Sequence, residues 1–150
     1  MLDEQSALAR GGVQTDCVRE TLKMHGAETV RVTSDTNRQW LLESRPEGKP
    51  RRDNFRLAER PVPEPEANEV LVRTHYMSVD PYMRGRMGES QAHSETWPVG
   101  DPMRARVVGE VVESNYDDLS VGDTVFGMLD WAEYATAYGG DLQRIDFRTS

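Results

Sequence analysis

The sequence predicts a mainly β, barrel-like domain. Six or seven short segments alternate apolar and polar residues, turn residues separate them at intervals of ten to fifteen residues, and no strong helical pattern follows residue 36. Alternation with a period of two is typical of half-buried strands, and closely spaced short strands favour a barrel or a sandwich. The chain shows no internal repeat and no low-complexity block. We therefore expect one β domain with short helical turns.

The first two strand patterns are short. Gln39–Ser44 is an apolar run that ends at a turn, and Phe55–Arg60 alternates in character. In the second segment we expect Phe55 and Leu57 to face inward, and the residues between them to face outward.

The longest strand pattern covers Glu69–Val79, after an extended stretch with proline at positions 61, 63 and 65. A segment so rich in proline cannot be a central strand. We expect one face of the long strand to carry Val70, Val72, Thr74 and Tyr76. The strand runs into a turn at Asp80-Pro81, where the proline can begin a helix and Asp80 is the expected N-cap.

The second half of the chain predicts further strands around a long polar loop. The loop covers Gly88–Arg104, and a loop of this length is either mobile or functional. Gly109 interrupts the strand Val107–Ser114 and predicts a bulge or a close backbone approach. Three more strand patterns follow at Val121–Gly127, Trp131–Tyr138 and Leu142–Phe147.

Composition excludes several classes of protein. The chain has 150 residues, which suits one domain, and its single cysteine, Cys17, excludes an internal disulfide and a multi-cysteine zinc site. No apolar run approaches the ~20 residues of a membrane span, and the N-terminus lacks a signal pattern. We expect a cytoplasmic protein without a membrane partner.

The charge balance is acidic and nearly free of lysine. A net charge of −8 argues against a nucleic-acid partner, because such proteins usually carry a basic face. Only Lys23 and Lys49 are lysines, and every other basic residue is arginine. Adaptation to high salt and a GC-rich genome are the two explanations that we consider.

The first 36 residues differ from the remainder in composition and in hydrophobic pattern. They contain few aromatic residues and no sustained period, although Asp16–Met24 could form a short helix. No apolar face is large enough to offset the entropy of ordering them. We expect residues 1–36 to be a disordered extension and residues 37–150 to be the domain.

Several well-known catalytic motifs are absent. The sequence has no G-x-G-x-x-G, no G-x-x-x-x-G-K and no H-E-x-x-H, and His75 and His93 have no paired metal ligands. We expect no metal site. Arg84, Arg86, Arg104 and Arg106 form a basic patch in an otherwise acidic chain, which is either a solvated, salt-bridged cluster or a site for phosphate or carboxylate.

Several motifs together resemble a known family. Glu69-Val70-Leu71-Val72, Met77-Ser78-Val79-Asp80, Gly109-Glu110-Val111-Val112 and Gly122-Asp123-Thr124-Val125 resemble the GroES-like catalytic domain of medium-chain dehydrogenases/reductases. The string Ser78–Arg84 and the segment Trp131–Tyr134 resemble the zinc-free branch that holds prostaglandin reductases, leukotriene dehydrogenases and alkenal double-bond reductases. The resemblance covers about residues 37–147 and implies a GroES-like, partly open β-barrel.

Two departures from the zinc-dependent relatives support that branch. Met77 stands where those relatives have a ligand cysteine, and Ala105 stands where they have a ligand histidine. A thioether and a methyl group cannot replace a thiolate and an imidazole on zinc.

The resemblance implies an NADPH-dependent reductase that acts on the C=C bond of small apolar α,β-unsaturated ketones or aldehydes. In this interpretation Tyr82 donates a hydrogen bond to the developing enolate. Three methionines form an adaptable apolar wall for the substrate, namely Met77, Met83 and Met128. Three polar residues contact the cofactor, namely Ser78, Arg84 and Arg106.

The family also carries a Rossmann domain that binds most of the nicotinamide cofactor, and no Gly-rich strand-to-helix turn occurs in this sequence. We therefore expect a fragment whose isolated chain is inactive, and a homodimer is one expectation for the whole protein. The alternative is a stand-alone GroES-like binding module of the co-chaperonin type, whose mobile loop would be Gly88–Pro102.

Overall fold

A computed structural model describes residues 35–89 and 95–146. The predicted extension at residues 1–36 lies, apart from its last two residues, outside the described residues. The described part contains seven strands, one short α-helix and two 3-10 turns (Arg52–Asn54 and Gly139–Asp141). The strands and the helix are β1 Thr36–Leu42, β2 Phe55–Pro61, β3 Glu69–Met77, α1 Tyr82–Arg86, β4 Arg104–Ser114, β5 Thr124–Asp130, β6 Tyr134–Tyr138 and β7 Gln143–Arg144.

Two antiparallel sheets make up the fold. Strands β1 and β2 form a two-stranded ribbon, and the other five strands form a sheet in the order β6-β3-β4-β5-β7. The predicted mainly β, GroES-like class is confirmed. The two sheets do not close into one hydrogen-bonded barrel within the described part of the chain, so the architecture is partly open.

Strand β1 connects the ribbon to the larger sheet. One edge pairs with β2, and the other edge pairs with irregular segments that precede β4 and β6. The Trp40 amide donates to the Trp131 carbonyl at 2.8 Å, and the Leu42 amide donates to the Asp101 carbonyl at 3.1 Å. Because both edges are paired, the ribbon is held firmly against the sheet.

Strand β3 does not keep one face throughout its length. Val70 and Val72 are fully buried as expected, but the register with β4 shifts between Thr74 and Tyr76. The shift turns Tyr76 to the outside, where its side chain is 75% exposed. The prediction that Tyr76 shares the face of Val70 was therefore wrong, because a bulge changes which face each later residue occupies.

Gly109 lies opposite Thr74, where the register shift begins. A Cβ atom on Gly109 would collide with the Arg73 carbonyl oxygen and would lie 2.5 Å from Val72 Cγ1. The predicted close backbone approach at Gly109 is confirmed, since only a glycine leaves room for β3 here.

Strand β2 exposes a residue that was expected to be inside. Phe55 packs against the main core, but Leu57 is 46% exposed. The inward prediction for Leu57 was wrong because β2 is an edge strand of the ribbon, and its Leu57 face borders a groove rather than the core.

The main core lies against one face of the five-stranded sheet and is lined by residues of β3, β4 and β5. The long polar loop is anchored to this core at its C-terminal end, since Trp97 and Met103 are buried and the Trp97 amide donates to the Arg86 carbonyl at 2.7 Å. A smaller cluster consists of Val62, Leu71, Val112 and Tyr134. No helix within residues 35–89 or 95–146 has the length and apolar composition that crossing a bilayer requires.

Candidate active site

The turn after β3 is held by side-chain and backbone hydrogen bonds. The Ser78 amide donates to the Arg106 carbonyl at 2.9 Å, and the Ser78 hydroxyl donates to Asp80 Oδ2 at 2.6 Å. Pro81 occupies the N-cap position of α1 with φ −57, and no side chain caps the helix. The prediction of Asp80 as N-cap was wrong, because its carboxylate accepts from Ser78 and the Met83 amide reaches only the Asp80 backbone carbonyl.

Tyr82 is the first residue of α1 and is half-buried. Its hydroxyl lies 3.9 Å from the Met128 sulfur, and the Arg86 guanidinium carbon lies 5.7 Å from the centre of its ring. In the part of the chain that the structure describes, this thioether is the hydroxyl's only hydrogen-bond partner. A thioether is a weak acceptor, so the hydroxyl remains available to a stronger one.

Arg106 and Met128 are cross-strand partners on β4 and β5. Ala105 and Val107 on either side of Arg106 are fully buried, so strand alternation turns the arginine outward. Among residues 35–89 and 95–146 its guanidinium has no hydrogen-bond or ion-pair partner. The neighbouring Arg104 is engaged, since it donates to the Met128 carbonyl at 2.8 Å and lies 3.5 Å from Asp130.

Arg84 and Arg45 join α1 to the turn at 45–48 by side-chain hydrogen bonds, and we call this pair of side chains the arginine clasp. Arg84 donates to the carbonyls of Gly48 at 2.8 Å and Pro46 at 3.0 Å. Arg45 donates in the opposite direction, to the carbonyls of Met87 at 3.1 Å and Gly88 at 2.6 Å. The two side chains thus satisfy carbonyls at the end of α1 and in the turn, and they fix the helix that carries Tyr82.

The three predicted substrate methionines lie in different environments. Met83 is buried in the core, with its sulfur 3.4 Å from the Asp80 amide. Met128 is 38% exposed beside Tyr82, and Met77 is half-buried at the end of β3. The structure therefore brings Tyr82, Met128 and Arg106 together, whereas Met83 supports the turn from inside.

Sequence reasoning missed an apolar groove between the ribbon and the larger sheet. This tryptophan groove encloses about 410 Å³ and is lined by Arg38, Trp40, Leu57, Thr74, Met77, Trp131, Ala132 and Glu133. A more polar cleft of about 540 Å³ adjoins it and shares Arg38, Thr74 and Glu133. The lining residues come from four separate segments of the chain, so no local pattern signals the groove.

The carboxyl groups of Glu133, in the groove, and of Asp130, at the end of β5, have shifted pKa values. Arg38 donates to Glu133 through Nε at 2.9 Å, and this hydrogen bond lowers the pKa of the Glu133 carboxyl. Burial raises the pKa of Asp130, and the charge of Arg104 opposes that rise only in part. The charges of Arg38 and Glu133 are thus paired with each other.

The positions that correspond to zinc ligands hold no metal-binding atoms of the usual kind. Met77 pairs across the sheet with Val107, and Ala105 is fully buried in the core. Within the described residues, no group of three or more His, Cys, Asp or Glu side chains is arranged to hold a metal ion.

Comparison with known proteins places these features in a family. A family model described as the N-terminal domain of oxidoreductase matches residues 38–145. The chain belongs to this family. The matching proteins place the chain in the zinc-free reductase branch of the medium-chain dehydrogenase/reductase superfamily, which confirms the resemblance seen in the sequence motifs.

Individual relatives are similar over the same region. The chain is 45% identical over 109 residues to NADPH-dependent curcumin reductase of Escherichia coli, which covers 73% of this chain and 32% of that protein. It is 33% identical over 105 residues to the NADP(+)-dependent 2-alkenal reductase of Nicotiana tabacum, which covers 67% of this chain and 30% of that protein. The chain thus spans about a third of the length of these curated relatives.

One solved structure is similar to this chain in both fold and sequence. The crystal structure of CurA in complex with NADPH from Vibrio vulnificus superposes with a TM-score of 0.68 and 35% sequence identity, over 74% of this chain and 33% of that chain. This similarity supports the family assignment made from the sequence.

Proposed function

We propose that this chain is the substrate-side domain of an NADPH-dependent oxidoreductase that reduces the C=C bond of α,β-unsaturated ketones or aldehydes. The observation that carries the proposal is the Tyr82 hydroxyl, which lies beside a thioether and has no stronger acceptor among the described residues. The names of two relatives, a curcumin reductase and a 2-alkenal reductase, support an unsaturated carbonyl substrate.

The proposed reaction requires a hydrogen-bond donor. When bound, NADPH would supply a hydride for the β-carbon of the substrate and solvent a proton for the α-carbon, and negative charge would develop on the carbonyl oxygen between these two transfers. The Tyr82 hydroxyl donates a hydrogen bond to that oxygen, because a phenol is a good hydrogen-bond donor without carrying a charge. The hydrogen bonds of Ser78, Asp80 and the arginine clasp fix the turn and the helix that hold the ring.

The surrounding residues take the remaining roles. Met77 and Met128 provide adaptable apolar contacts to the substrate, since a thioether is polarisable and its side chain is flexible. Arg106 is the arginine whose exposed guanidinium fits a cofactor phosphate, and Ser78, in the turn after β3, donates its amide to the Arg106 carbonyl. Arg84 contributes indirectly, because its N–H groups are occupied by the carbonyls of Pro46 and Gly48.

The decisive experiment uses the whole protein that contains this domain. It is incubated with NADPH and a simple enone, cofactor oxidation is followed by absorbance, and the product is identified by NMR. We expect the saturated ketone. Formation of the allylic alcohol would show carbonyl reduction instead, and failure to oxidise NADPH with any enone or enal would refute the proposal.

A further inference from the structure

The walls of the tryptophan groove are built from aromatic and aliphatic side chains that remain partly exposed. Trp40 and Leu57 are cross-strand partners on the ribbon, with 37% and 46% of their surfaces exposed. The backbone hydrogen bond from Trp40 to Trp131 brings the two tryptophan backbones together, and both indoles line the groove. Exposed indoles on a rigid backbone are typical of sites that stack an aromatic ligand.

The electrostatics of the groove favour a neutral ligand. Arg38 and Glu133 are its charged lining residues, and each neutralises the other through the side-chain hydrogen bonds described above. The volume of about 410 Å³ is in the range of small-molecule sites, which are mostly apolar with a few polar groups. The adjoining cleft is lined by further charged residues and is a poorer match to an apolar molecule.

Two polar atoms in the groove walls lack a partner. The Thr74 hydroxyl and the Trp131 indole N–H are buried and make no hydrogen bond among the described residues. Buried donors are normally satisfied, because leaving one unpaired is costly. Because neither atom has exposed surface, the indole faces and Leu57, and not these two atoms, would contact a ligand in the groove.

The groove also connects to the candidate active site along the chain. Met77 lines the groove and immediately precedes Ser78, whose hydrogen bonds shape the turn before Tyr82. We infer that the tryptophan groove binds the aromatic arm of an aryl-substituted enone and so selects among substrates. This inference rests on the function proposed above.

The binding test uses the 150-residue chain and chalcone (1,3-diphenylpropenone) as the probe, measured by isothermal titration calorimetry. We expect saturable binding by the wild-type chain, weakened at least about tenfold by Leu57→Glu, which places a charge in the groove without disturbing the core. Val99→Glu is the matched control, because Val99 is 50% exposed outside the groove. Circular dichroism checks that both variants fold.

Tryptophan fluorescence locates the bound probe. Two of the three tryptophans line the groove, whereas Trp97 is buried in the core. We expect chalcone to quench the wild type and Trp97→Phe, and to quench Trp40→Phe and Trp131→Phe less. No binding by the wild-type chain, or equal binding by wild type and Leu57→Glu, would overturn the inference.

Kinetics of the whole enzyme separate this inference from the proposed function. Leu57→Glu is expected to lower kcat/KM for chalcone at least about tenfold and to leave kcat/KM for methyl vinyl ketone unchanged. Equal effects on both substrates would overturn the groove assignment while the reductase proposal stands. Binding of chalcone in the groove without reduction of either enone would refute the reductase proposal alone.

Discussion

The side-chain amide of Asn37 pairs with the backbone of Tyr134. Asn37 Nδ2 donates to the Tyr134 carbonyl at 2.8 Å, and the Tyr134 amide donates to Asn37 Oδ1 at 2.9 Å. Asn37 is fully buried, although asparagine usually lies at the surface. The amide thus imitates a residue of a neighbouring strand and ties β1 to β6.

Asn37→Ala is expected to destabilise the domain strongly. It leaves a buried N–H and a buried C=O of Tyr134 without partners, and each unpaired group costs about 1–3 kcal/mol. Urea unfolding followed by circular dichroism measures the free energy of unfolding. Gln143→Ala removes an exposed amide on β7 and is expected to change that free energy by less than about 0.5 kcal/mol. Equal effects of the two substitutions would show that the Asn37 pair contributes nothing.

Gly109→Ala tests the close approach of β3 and β4. The added methyl group would overlap the Arg73 carbonyl, and overpacking of this kind costs about 1–3 kcal/mol or more. Gly48→Ala is a useful comparison, because nothing lies within 4 Å of its added Cβ and its positive φ of 77 is the sole source of strain. We expect Tm to fall further for Gly109→Ala, and the reverse order would contradict the steric explanation.

The arginine clasp is expected to act cooperatively. Arg45→Gln and Arg84→Gln each remove hydrogen bonds between α1 and the turn at 45–48, at about 1 kcal/mol for a typical bond. Because both tie the same two segments together, the double variant should lose less stability than the sum of the single variants. Arg84→Lys should restore little, since an ammonium cannot reach two carbonyls as a planar fork does. Strict additivity would show two independent contacts.

The Glu133 carboxyl predicts a dependence of stability on pH. Its hydrogen bond from Arg38 lowers its pKa in the folded state, so it contributes stability above its unfolded pKa and loses that contribution as the pH falls through the lowered value. The difference in free energy of unfolding between wild type and Glu133→Gln should therefore be present at neutral pH and shrink below about pH 4.

Asp130 predicts the opposite dependence of stability on pH, which the same unfolding measurement tests. Its pKa is raised by burial, so its ionised form opposes folding at neutral pH. Asp130→Asn should be most favourable relative to wild type at neutral pH and lose its advantage in acid. Parallel pH profiles for the two variants would contradict the assigned shifts.

Tyr82→Phe tests the proposed donor in the whole enzyme. Loss of one hydrogen-bond donor to a developing oxyanion costs about 2.7–4 kcal/mol, or ~10²–10³ in kcat. A tyrosine that only packs should cost less than about tenfold, and one that only binds the ground-state carbonyl should raise KM while kcat holds. Tyr76→Phe is the control, because Tyr76 is 75% exposed on β3. An unchanged kcat in a folded Tyr82→Phe variant would remove Tyr82 from the chemistry.

Strand positions follow from the sequence because they depend on local alternation. All seven strands overlap their predicted segments, and Val70 and Val72 are buried as their spacing indicates. The inward side of Tyr76 was predicted wrongly because His75 is an extra residue of β3, between the pairs Thr74–Gly109 and Tyr76–Val108, and it changes the alternation of the strand. The alternation of residues in one strand does not show where a bulge interrupts its pairing with the neighbouring strand.

The candidate site was predictable only in part, for a similar reason. The motif around Tyr82 is contiguous, so its residues could be chosen from the sequence alone. The Arg45–Arg84 clasp and the tryptophan groove join residues from distant segments, and composition gives no hint of these contacts. The roles proposed for Tyr82, Met77 and Arg106 remain predictions for the experiments above.

The exposed edges of the two sheets are poorly suited to pairing with another copy of the chain. An exposed strand edge is a template for pairing with another copy, which leads to aggregation. At one edge of the larger sheet β7 has only two residues, and at the other edge the outward groups of Tyr134 on β6 are already bonded to Asn37. The free edge of the ribbon, β2, carries three charged residues and ends at Pro61. Each of these edges therefore resists edge-to-edge growth, which favours a domain that stays dispersed at high concentration.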